Sequence, residues 1–387
     1  MAWAITPAGI RASDEQLSDL KRRLLATRWP DKEPVADWSQ GVPLAYMREL
    51  CEYWAHRYDW RACEASLNRF DQFKTEIDGV EIHFIHVRSA HADALPLLVT
   101  HGWPGSIAEF HKIIEPLADP AAHGGDVADA FHVVCPSLPG YGFSGKPVEP
   151  GWSVERIARA WGTLMQRLGY GRYVAQGGDW GSMVTTAIGQ LDRGPCLGIH
   201  LTMPMVVPDP ATLAQLTASE KSALADLKRY RAEGSAYARQ QGTRPQTLAY
   251  GLADSPAGQA AWIVDKYQAW MDCDGHPEKV LSRDELLDQV MLYWLPDSAA
   301  SSARLYWESF ARVNREPVDL PTGISLFPKE IFRLSRRWAE QRFKHIVHWR
   351  EFDRGGHFAA LERPAELVEE IRSCFRPLRR TRCAPPP

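Results

Sequence analysis

The sequence predicts an α/β fold in which a mostly parallel sheet is covered by helices and interrupted by a helical insertion. Short apolar runs of strand length alternate with stretches of helical periodicity between residues 97 and 191. This alternation is typical of a parallel sheet, because each crossover between parallel strands needs a connection such as a helix. Residues 206–317 then show little strand signal, and strand-like runs return after them. We therefore expect a core domain with a helical lid inserted into it.

The first 74 residues are expected to form a helical extension of the core. Ser13 and Gln16 have the spacing of a capping box, and leucines follow on one helical face. A second amphipathic run covers residues 44–57. Because the first 74 residues are rich in tryptophan, they could scarcely bury those side chains without the rest of the chain. We therefore expect this segment to wrap around the main domain.

The predicted core is divided between residues 75–205 and 318–387, on either side of the insertion. Proline and glycine stand at the edges of several apolar runs, as is typical of short buried strands. Amphipathic stretches at 154–168 and 365–375 are predicted to be covering helices. The predicted strands are 80–87, 97–100, 131–134, 173–175, 324–327 and 345–349.

The composition indicates a globular protein without a strongly charged partner. Of the 387 residues, 45% are hydrophobic and 24% are charged, and the net charge of −3 favours neither nucleic acid nor an anionic membrane. The seven cysteines are scattered without C-x-x-C spacing, which indicates neither a disulfide framework nor a zinc site and favours the cytoplasm. No signal peptide and no spanning helix are predicted, since neither pattern occurs in the sequence.

The clearest catalytic signal is Gln176-Gly177-Gly178-Asp179-Trp180-Gly181-Ser182, between a predicted strand and a predicted helix. The order small-x-nucleophile-x-small is typical of the strained strand-to-helix turn of α/β-hydrolases, with aspartate in place of serine. Gly177 and Gly181 would allow the close backbone contacts of such a turn. Alone, the pattern also fits an ordinary Gly-Asp turn. The strand before it and the helix after it favour Asp179 as a nucleophile.

An aspartate nucleophile implies a different reaction from that of a serine. A carboxylate with an ordinary pKa of about 3.9 is already ionised at neutral pH and needs no base to activate it. It can attack a saturated, electrophilic carbon and form an ester with it. Water must then attack the carbonyl group of that ester, and this second step requires a base and an oxyanion hole.

The loop His101-Gly102-Trp103-Pro104-Gly105-Ser106 follows the predicted strand at 97–100, where α/β-hydrolases place one oxyanion donor. The backbone N–H groups of Trp103 and Trp180 are the predicted donors. For the indole side chain of Trp103, the alternative interpretation is that it only packs in the protein interior and has no role in catalysis. His101 is expected to be structural rather than catalytic.

The predicted base is His357, which follows the last predicted strand in the order typical of these enzymes. Any one of the 13 histidines could be a core residue, but its position and flanking glycines favour His357. Glu330 follows the penultimate strand and is the predicted acid that orients the imidazole. Taken alone, Glu330 would be interpreted as a surface residue, and Asp353 is the alternative acid.

Together these motifs resemble the epoxide hydrolases of the microsomal type, including their soluble fungal and bacterial relatives. The resemblance covers nearly the whole chain and implies the α/β-hydrolase fold, with a mostly parallel eight-stranded sheet, a helical lid and an N-terminal helical extension. The matching segments are Arg28-Trp29-Pro30, Trp38, Tyr58-Asp59-Trp60-Arg61 and residues 101–106, 139–144, 177–181, 243–247, 254–258 and 355–360.

The resemblance implies hydrolysis of an epoxide to a vicinal diol through an ester of Asp179. It also implies two lid tyrosines, Tyr237 and Tyr306, which would bind the epoxide oxygen and contact the substrate together with Trp103. The chemistry of ring opening explains the need for two tyrosines near the epoxide oxygen. A phenol with a pKa near 10 can donate a proton to the alkoxide that ring opening forms. For a single tyrosine, half-buried packing is the ordinary interpretation. The partners are then an epoxide and water, and no metal or organic cofactor is needed.

The resemblance also bears on location and pathway. Membrane-bound relatives carry an N-terminal anchor helix that has no counterpart in this sequence, so a soluble, cytoplasmic form is expected. Some actinobacterial relatives act on aryl epoxides in secondary metabolism, including assembly of enediyne antibiotics, and the resemblance extends to them without specifying a pathway. The 15 tryptophans leave apolar surface to cover, which favours a homodimer.

Three other functions fit part of the pattern. A haloalkane or haloacetate dehalogenase also uses an aspartate nucleophile, but a halide site needs N–H donors where an epoxide site needs phenols. An esterase is disfavoured because no serine occupies the turn, and Ser182 comes after it. A catalytically inactive hydrolase fold that serves as a receptor or scaffold is disfavoured because every expected catalytic position holds a competent residue. Halide release and diol formation distinguish these functions.

Overall fold

The computed structural model describes residues 4–192, 194–310 and 314–380. Within this part, nine strands form one sheet together with fifteen α-helices. The strands are β1 (Thr6–Ala8), β2 (Gln72–Ile77), β3 (Val80–Val87), β4 (Leu95–Thr100), β5 (Phe131–Pro136), β6 (Tyr173–Gly177), β7 (Cys196–Leu201), β8 (Val318–Leu326) and β9 (Phe343–Glu351). The helices are α1 (Asp14–Leu25), α2 (Leu44–His56), α3 (Trp60–Asn68), α4 (His111–Ala118), α5 (Val154–Arg167), α6 (Asp179–Leu191), α7 (Ala218–Arg229), α8 (Ala236–Thr243), α9 (Pro245–Asp254), α10 (Pro256–Trp270), α11 (Arg283–Trp294), α12 (Ala299–Ser309), α13 (Arg336–Arg342), α14 (Ala359–Glu362) and α15 (Pro364–Phe375).

The strand order is β1-β2-β3-β5-β4-β6-β7-β8-β9. The six strands from β5 to β9 in this order are parallel to one another, whereas β1, β2 and β3 pair antiparallel. The carboxyl ends of the parallel strands therefore meet at one edge of the sheet. This edge is where α/β folds commonly place their sites.

The sheet has nine strands in the described residues, where the resemblance implied eight. The additional strand is β1, in which Thr6 lies opposite Lys74 and Ala8 lies opposite Gln72. Its three residues include Pro7 and show no alternation of apolar side chains. Because such a segment has no strand signal of its own, only its docking onto β2 makes it an edge strand.

The N-terminal helices pack on the rest of the chain through their apolar faces. The capping box of Ser13 and Gln16 is confirmed at the start of α1. Trp54 of α2 and Trp60 of α3 are buried, as expected for side chains that the segment cannot cover alone. The Tyr58 hydroxyl donates to Asp288 of α11 at 2.6 Å, so this region also contacts the insertion.

Six helices, α7 to α12, lie between β7 and β8 and are called the lid helices below. They rest on the loops that follow two parallel strands. The Tyr293 hydroxyl donates to the carbonyl oxygen of Gly105, beyond β4, at 2.7 Å. The Ser301 hydroxyl donates to the carbonyl oxygen of Gly140, beyond β5, at 2.6 Å. The lid helices therefore cover the carboxyl edge of the sheet.

The hydrophobic core lies along the central strands and their covering helices. Leu97, Leu98 and Val99 of β4 are fully buried, as short apolar strands in a parallel sheet usually are. Trp161 of α5 is also fully buried, and its indole N–H donates to the Thr100 hydroxyl at 3.1 Å. Among the described residues, no helix has the length and apolar character needed to cross a bilayer.

Candidate active site

Asp179 lies at the sharp bend between β6 and α6. Its φ is +48°, in the left-handed region that residues other than glycine rarely adopt. A Cβ at residue 177 would collide with the carbonyl group of residue 181, and a Cβ at residue 181 would collide with the Thr100 carbonyl group. The predicted need for Gly177 and Gly181 is therefore confirmed. The bend is the strained strand-to-helix turn that presents a nucleophile in α/β-hydrolases.

Two backbone N–H groups donate to the Asp179 carboxylate. The N–H of Trp103 donates to Oδ1 at 2.8 Å, and the N–H of Trp180 is the second donor. The loop after β4 can approach this closely because residue 102 is glycine, since a Cβ there would collide with the carboxylate. The two donors lie where negative charge would develop if water attacked an ester of Asp179.

His357 lies between Asp179 and Glu330. Its Nε2 is 3.5 Å from Asp179 Oδ2, and its Nδ1–H donates to Glu330 Oε1 at 2.7 Å. Both His357 and Glu330 are buried, whereas the alternative acid, Asp353, is exposed. The structure thus brings together the predicted nucleophile, base and orienting acid. It leaves Asp353 outside this group.

The charges in this chain of three groups depend on one another. Burial opposes protonation of His357, but the carboxylates of Glu330 and Asp179 outweigh it and raise its pKa to about 9. Burial also raises the pKa of Asp179, and His357 with the two tryptophan N–H groups opposes that rise. The attraction between the two groups therefore favours a proton on the imidazole and a negative charge on Asp179.

Two acidic residues that sequence reasoning missed hold the His357 loop in place. Glu362 accepts hydrogen bonds from the N–H groups of Asp272 at 2.8 Å and Phe358 at 3.0 Å. Asp272 in turn accepts from the N–H of Gly355 at 2.9 Å. The N–H of His357 donates to the carbonyl oxygen of Trp270 at 3.0 Å. The catalytic loop is therefore attached to the end of α10, and no local pattern in the sequence announces this contact.

Both predicted lid tyrosines lie close to Asp179. Tyr237 of α8 stacks on the indole of Trp103, with ring centroids 5.0 Å apart. Tyr306 of α12 packs edge-on against Trp180 at 4.8 Å. Both tyrosines are buried, and burial raises the pKa of each phenol well above its ordinary value. Burial therefore favours the neutral form of both phenols, which can donate a hydrogen bond.

The remaining walls near the nucleophile are aromatic. Trp270 of α10 packs against Tyr237 at 5.3 Å and edge-on against His357 at 5.0 Å. Trp103 contacts Tyr306 edge-on at 5.9 Å, so its side chain also belongs to the site. Aromatic walls of this kind favour an apolar substrate over a charged one.

His101 and Glu109 complete the surroundings of the site. His101 accepts from the N–H of Leu138 through Nε2, and burial lowers its pKa to about 4, so it is a neutral residue that fastens the loop. Glu109 was not selected from the sequence. Its carboxyl group lies against Gly105, and burial raises its pKa to about 8.

Within the described ranges, no group of three or more His, Cys, Asp or Glu residues could hold a metal ion.

Two family models match the chain. One, described as the epoxide hydrolase N terminus, matches residues 5–110, and the other, described as the alpha/beta hydrolase fold, matches residues 96–248. The chain is 56% identical to a protein of Stigmatella aurantiaca (strain DW4/3-1) named "Putative epoxide hydrolase", over 97% of this chain and 86% of that protein. It is 35% identical to epoxide hydrolase 1 of Sus scrofa, over 95% of this chain and 88% of that enzyme.

Solved structures of epoxide hydrolases have the same fold over almost their full length. The Aspergillus niger epoxide hydrolase is 35% identical and superimposes with a TM-score of 0.88, covering 97% of this chain and 96% of that one. The juvenile hormone epoxide hydrolase of the silkworm Bombyx mori is 29% identical, with a TM-score of 0.90 and coverage of 98% and 95%. The similarity therefore includes the N-terminal helices, the sheet and the lid helices.

Proposed function

The chain belongs to the epoxide hydrolase family of the α/β-hydrolase fold, and on this premise we propose which residues carry each step of its reaction. The protein hydrolyses an epoxide with water to a vicinal diol, through an ester between the substrate and an aspartate of the enzyme. The assignment rests on one observation. Asp179, His357 and Glu330 form a continuous chain of contacts at a bend where two N–H groups face the nucleophile.

In the first step, Asp179 attacks an epoxide carbon and the C–O bond of the ring breaks. The electron pair of that bond stays on the oxygen, which would otherwise become an alkoxide. Tyr237 and Tyr306 donate their hydroxyl protons toward this oxygen, because both phenols are neutral and face the same site. The product is the Asp179 ester of the diol.

In the second step, His357 removes a proton from water, which attacks the ester carbonyl. The ester C–O bond then breaks, and the leaving diol oxygen takes the proton from His357. Esterification removes the negative charge of Asp179, and with it one of the carboxylates that raise the pKa of His357. The pKa of His357 therefore falls once the ester has formed, so that the imidazole releases its proton to solvent and can act as a base; solvent returns a proton to it when Asp179 ionises again. Glu330 stabilises the imidazolium that results, and the N–H groups of Trp103 and Trp180 stabilise the oxyanion.

Mass spectrometry of the intact protein tests this assignment. With styrene oxide as substrate, His357→Gln should retain one substrate mass, because ring opening continues while hydrolysis lacks its base. Asp179→Asn should retain none. His345→Gln is the matched control, since His345 lies exposed on β9, and it should turn over normally without retained mass. An adduct on Asp179→Asn, or none on His357→Gln, would refute the assignment.

The organisation of the chain is part of the proposal. We infer that residues 75–205 and 318–387 form the core that carries nucleophile and base, while residues 206–317 form a lid that carries the phenols. Residues 1–74 would then brace the lid, which the hydrogen bond between Tyr58 and Asp288 supports. Limited proteolysis should cleave between these segments before it cleaves within them, and cleavage spread through the core would contradict the division.

Location, assembly and pathway are proposed on separate grounds. We propose the cytoplasm because the six cysteines of the described part are buried and form no disulfide bonds. Cys383 lies outside the described residues.

A homodimer is proposed because Tyr250 and Trp307 of the lid helices are 72% and 52% exposed, and light scattering should show the mass of two chains. A role in secondary metabolism predicts faster turnover of aryl than of alkyl epoxides; equal turnover would speak against it.

A further inference from the structure

Tyr237 and Tyr306 have different surroundings, although the reaction gives them a common task. Tyr306 contacts Tyr237, with ring centroids 5.8 Å apart, and is hydrogen-bonded to it. Its other ring neighbours, Trp103, Trp180 and Phe310, offer no charge and no hydroxyl group. Tyr237, in contrast, has a third phenol at its oxygen and an ammonium group over its ring. A phenol that gives up a proton needs such groups, because burial makes its phenolate costly.

The third phenol is Tyr230, whose hydroxyl oxygen lies 3.1 Å from the hydroxyl oxygen of Tyr237. Tyr230 begins a π-helical turn, Tyr230–Gly234, directly before α8. The Tyr230 ring packs edge-on against Phe332 on one side. It also lies close to residue 234, where an added Cβ would be 3.1 Å from the ring. These contacts fix the position of the ring. Tyr230 is only partly buried, and its pKa is raised by burial to about 12. This phenol therefore stands between Tyr237 and the surface.

The direction of this hydrogen bond follows from the reaction. When Tyr237 points its proton at the epoxide oxygen, it has none left for Tyr230. In the reacting complex Tyr230 must therefore donate to the oxygen of Tyr237. This donor strengthens as the Tyr237 proton leaves, since hydrogen bonds to charged acceptors are stronger than those to neutral ones.

The ammonium group is that of Lys266 in α10, which is 9% exposed. Its Nζ lies over the Tyr237 ring, 4.8 Å from the centroid, and 6.0 Å from the centroid of Trp270. Asp265 pairs with this ammonium and is more exposed than it. A buried cation over an aromatic ring is attracted to it, and the attraction grows when the ring becomes a phenolate.

We infer that Tyr237 is the phenol that transfers its proton during ring opening, and that Tyr230 and Lys266 are positioning residues that stabilise its phenolate. The inference rests on the proposed function of Asp179 and the lid phenols. As the new bond forms between Asp179 and carbon, the ring C–O bond breaks and the oxygen takes the Tyr237 proton. The second proton of the hydrolytic water, released when Asp179 ionises again, returns to Tyr237 through Tyr230. Tyr306 serves as a hydrogen-bond donor that keeps its proton.

Ring opening is best measured by itself in the His357→Gln enzyme, where the ester accumulates. The probe is styrene oxide, and the rate is that of adduct formation in rapid-quench mass spectrometry. Tyr230→Phe should slow adduct formation about tenfold, as expected for loss of a hydrogen bond to a group that becomes charged. Lys266→Met should slow it about five-fold, and Lys266→Arg should restore most of the rate because it keeps the cation. Tyr250→Phe, an exposed lid tyrosine, is the matched control and should change nothing.

A double-mutant cycle separates this role from a structural one. In a Tyr237→Phe background, Tyr230→Phe should cause no further loss, whereas in a Tyr306→Phe background it should keep its full effect. An equal loss in all backgrounds, or no loss in the parent, would overturn the inference while leaving the proposed function intact. A Tyr237→Phe enzyme that forms adduct at the parental rate would instead overturn the role proposed for the lid phenols.

Discussion

Glu330→Gln should slow hydrolysis of the covalent intermediate and leave its formation nearly unchanged. Glu330 and His357 are both buried, and Glu330 Oε1 lies 2.7 Å from Nδ1 of the imidazole. Glutamine keeps the size and an acceptor oxygen of the side chain but removes its charge. The charge is needed when His357 takes a proton from water, so the loss falls on the second step of the reaction.

The size of the effect follows from the pKa of His357. Burial opposes its protonation, yet Glu330 and Asp179 raise the pKa from 6.5 to about 9, a difference that corresponds to roughly 3 kcal/mol. In the ester Asp179 is neutral, and Glu330, the largest of the charge contributions that raise the pKa of His357, remains. If it contributes about 2 kcal/mol, its loss slows water attack roughly 30-fold. Because Glu330 raises the pKa, its removal should also move the acid limb of the hydrolysis rate to lower pH.

Single-turnover kinetics with styrene oxide, followed by tryptophan fluorescence and rapid-quench mass spectrometry, separate the two steps. Glu330→Gln should accumulate the ester during turnover. Asp353→Asn is the matched control, because Asp353 is an acidic residue of the same region that is exposed; it should behave as the parent enzyme. Ester hydrolysis that is unchanged in Glu330→Gln, or equally slow in Asp353→Asn, would show that the imidazole does not depend on this carboxylate.

Three further predictions concern the turn and the braced lid. Gly102→Ala should lower kcat about a hundredfold by displacing an oxyanion donor, and Gly171→Ala, with no neighbour within 4 Å of its added Cβ, should not. Gly181→Ala should lower the free energy of unfolding by about 2 kcal/mol or more, measured in urea, because its Cβ meets the Thr100 carbonyl; a smaller loss would show that the turn can relax. Burial raises the pKa of Asp288 to about 6, so the protonated form favours the folded state, and this stability is lost as pH rises through 6. Between pH 5 and 7.5 the Tm of Asp288→Asn should therefore fall less than that of the parent, whereas exposed Asp31→Asn should follow the parent.

The nucleophile turn could be predicted because its requirements are local. Seven consecutive residues contain the end of a strand, the nucleophile, the two glycines that permit the bend and the start of a helix. His357 was predicted by chain order and its flanking glycines, and Glu330 by its position after the penultimate strand. Asp353 was the alternative acid, and the distance to the imidazole favours Glu330.

Other features of the site could not be read from the sequence because their partners are distant in the chain. Asp272 and Gly355 are 83 residues apart, and neither lies in a motif that indicates their hydrogen bond. Tyr230 is seven residues from Tyr237, and the chain between them includes a π-helical turn, so the contact between their hydroxyl groups was not evident from the sequence. The edge strand β1 has no strand pattern and exists only through its pairing with β2.

The sequence by itself determined the fold class, the nucleophile turn and the type of chemistry, because periodicity and the spacing of glycines around Asp179 act over short distances. It also determined that this nucleophile is a carboxylate, which needs no base to activate it. The tertiary structure decided which groups share charge with Asp179, and it brings Tyr237 and Tyr306, which the family resemblance implied, close to this carboxylate. The physical reason is that pKa values and hydrogen bonds depend on burial and on distances of a few ångströms, which only the folded chain defines.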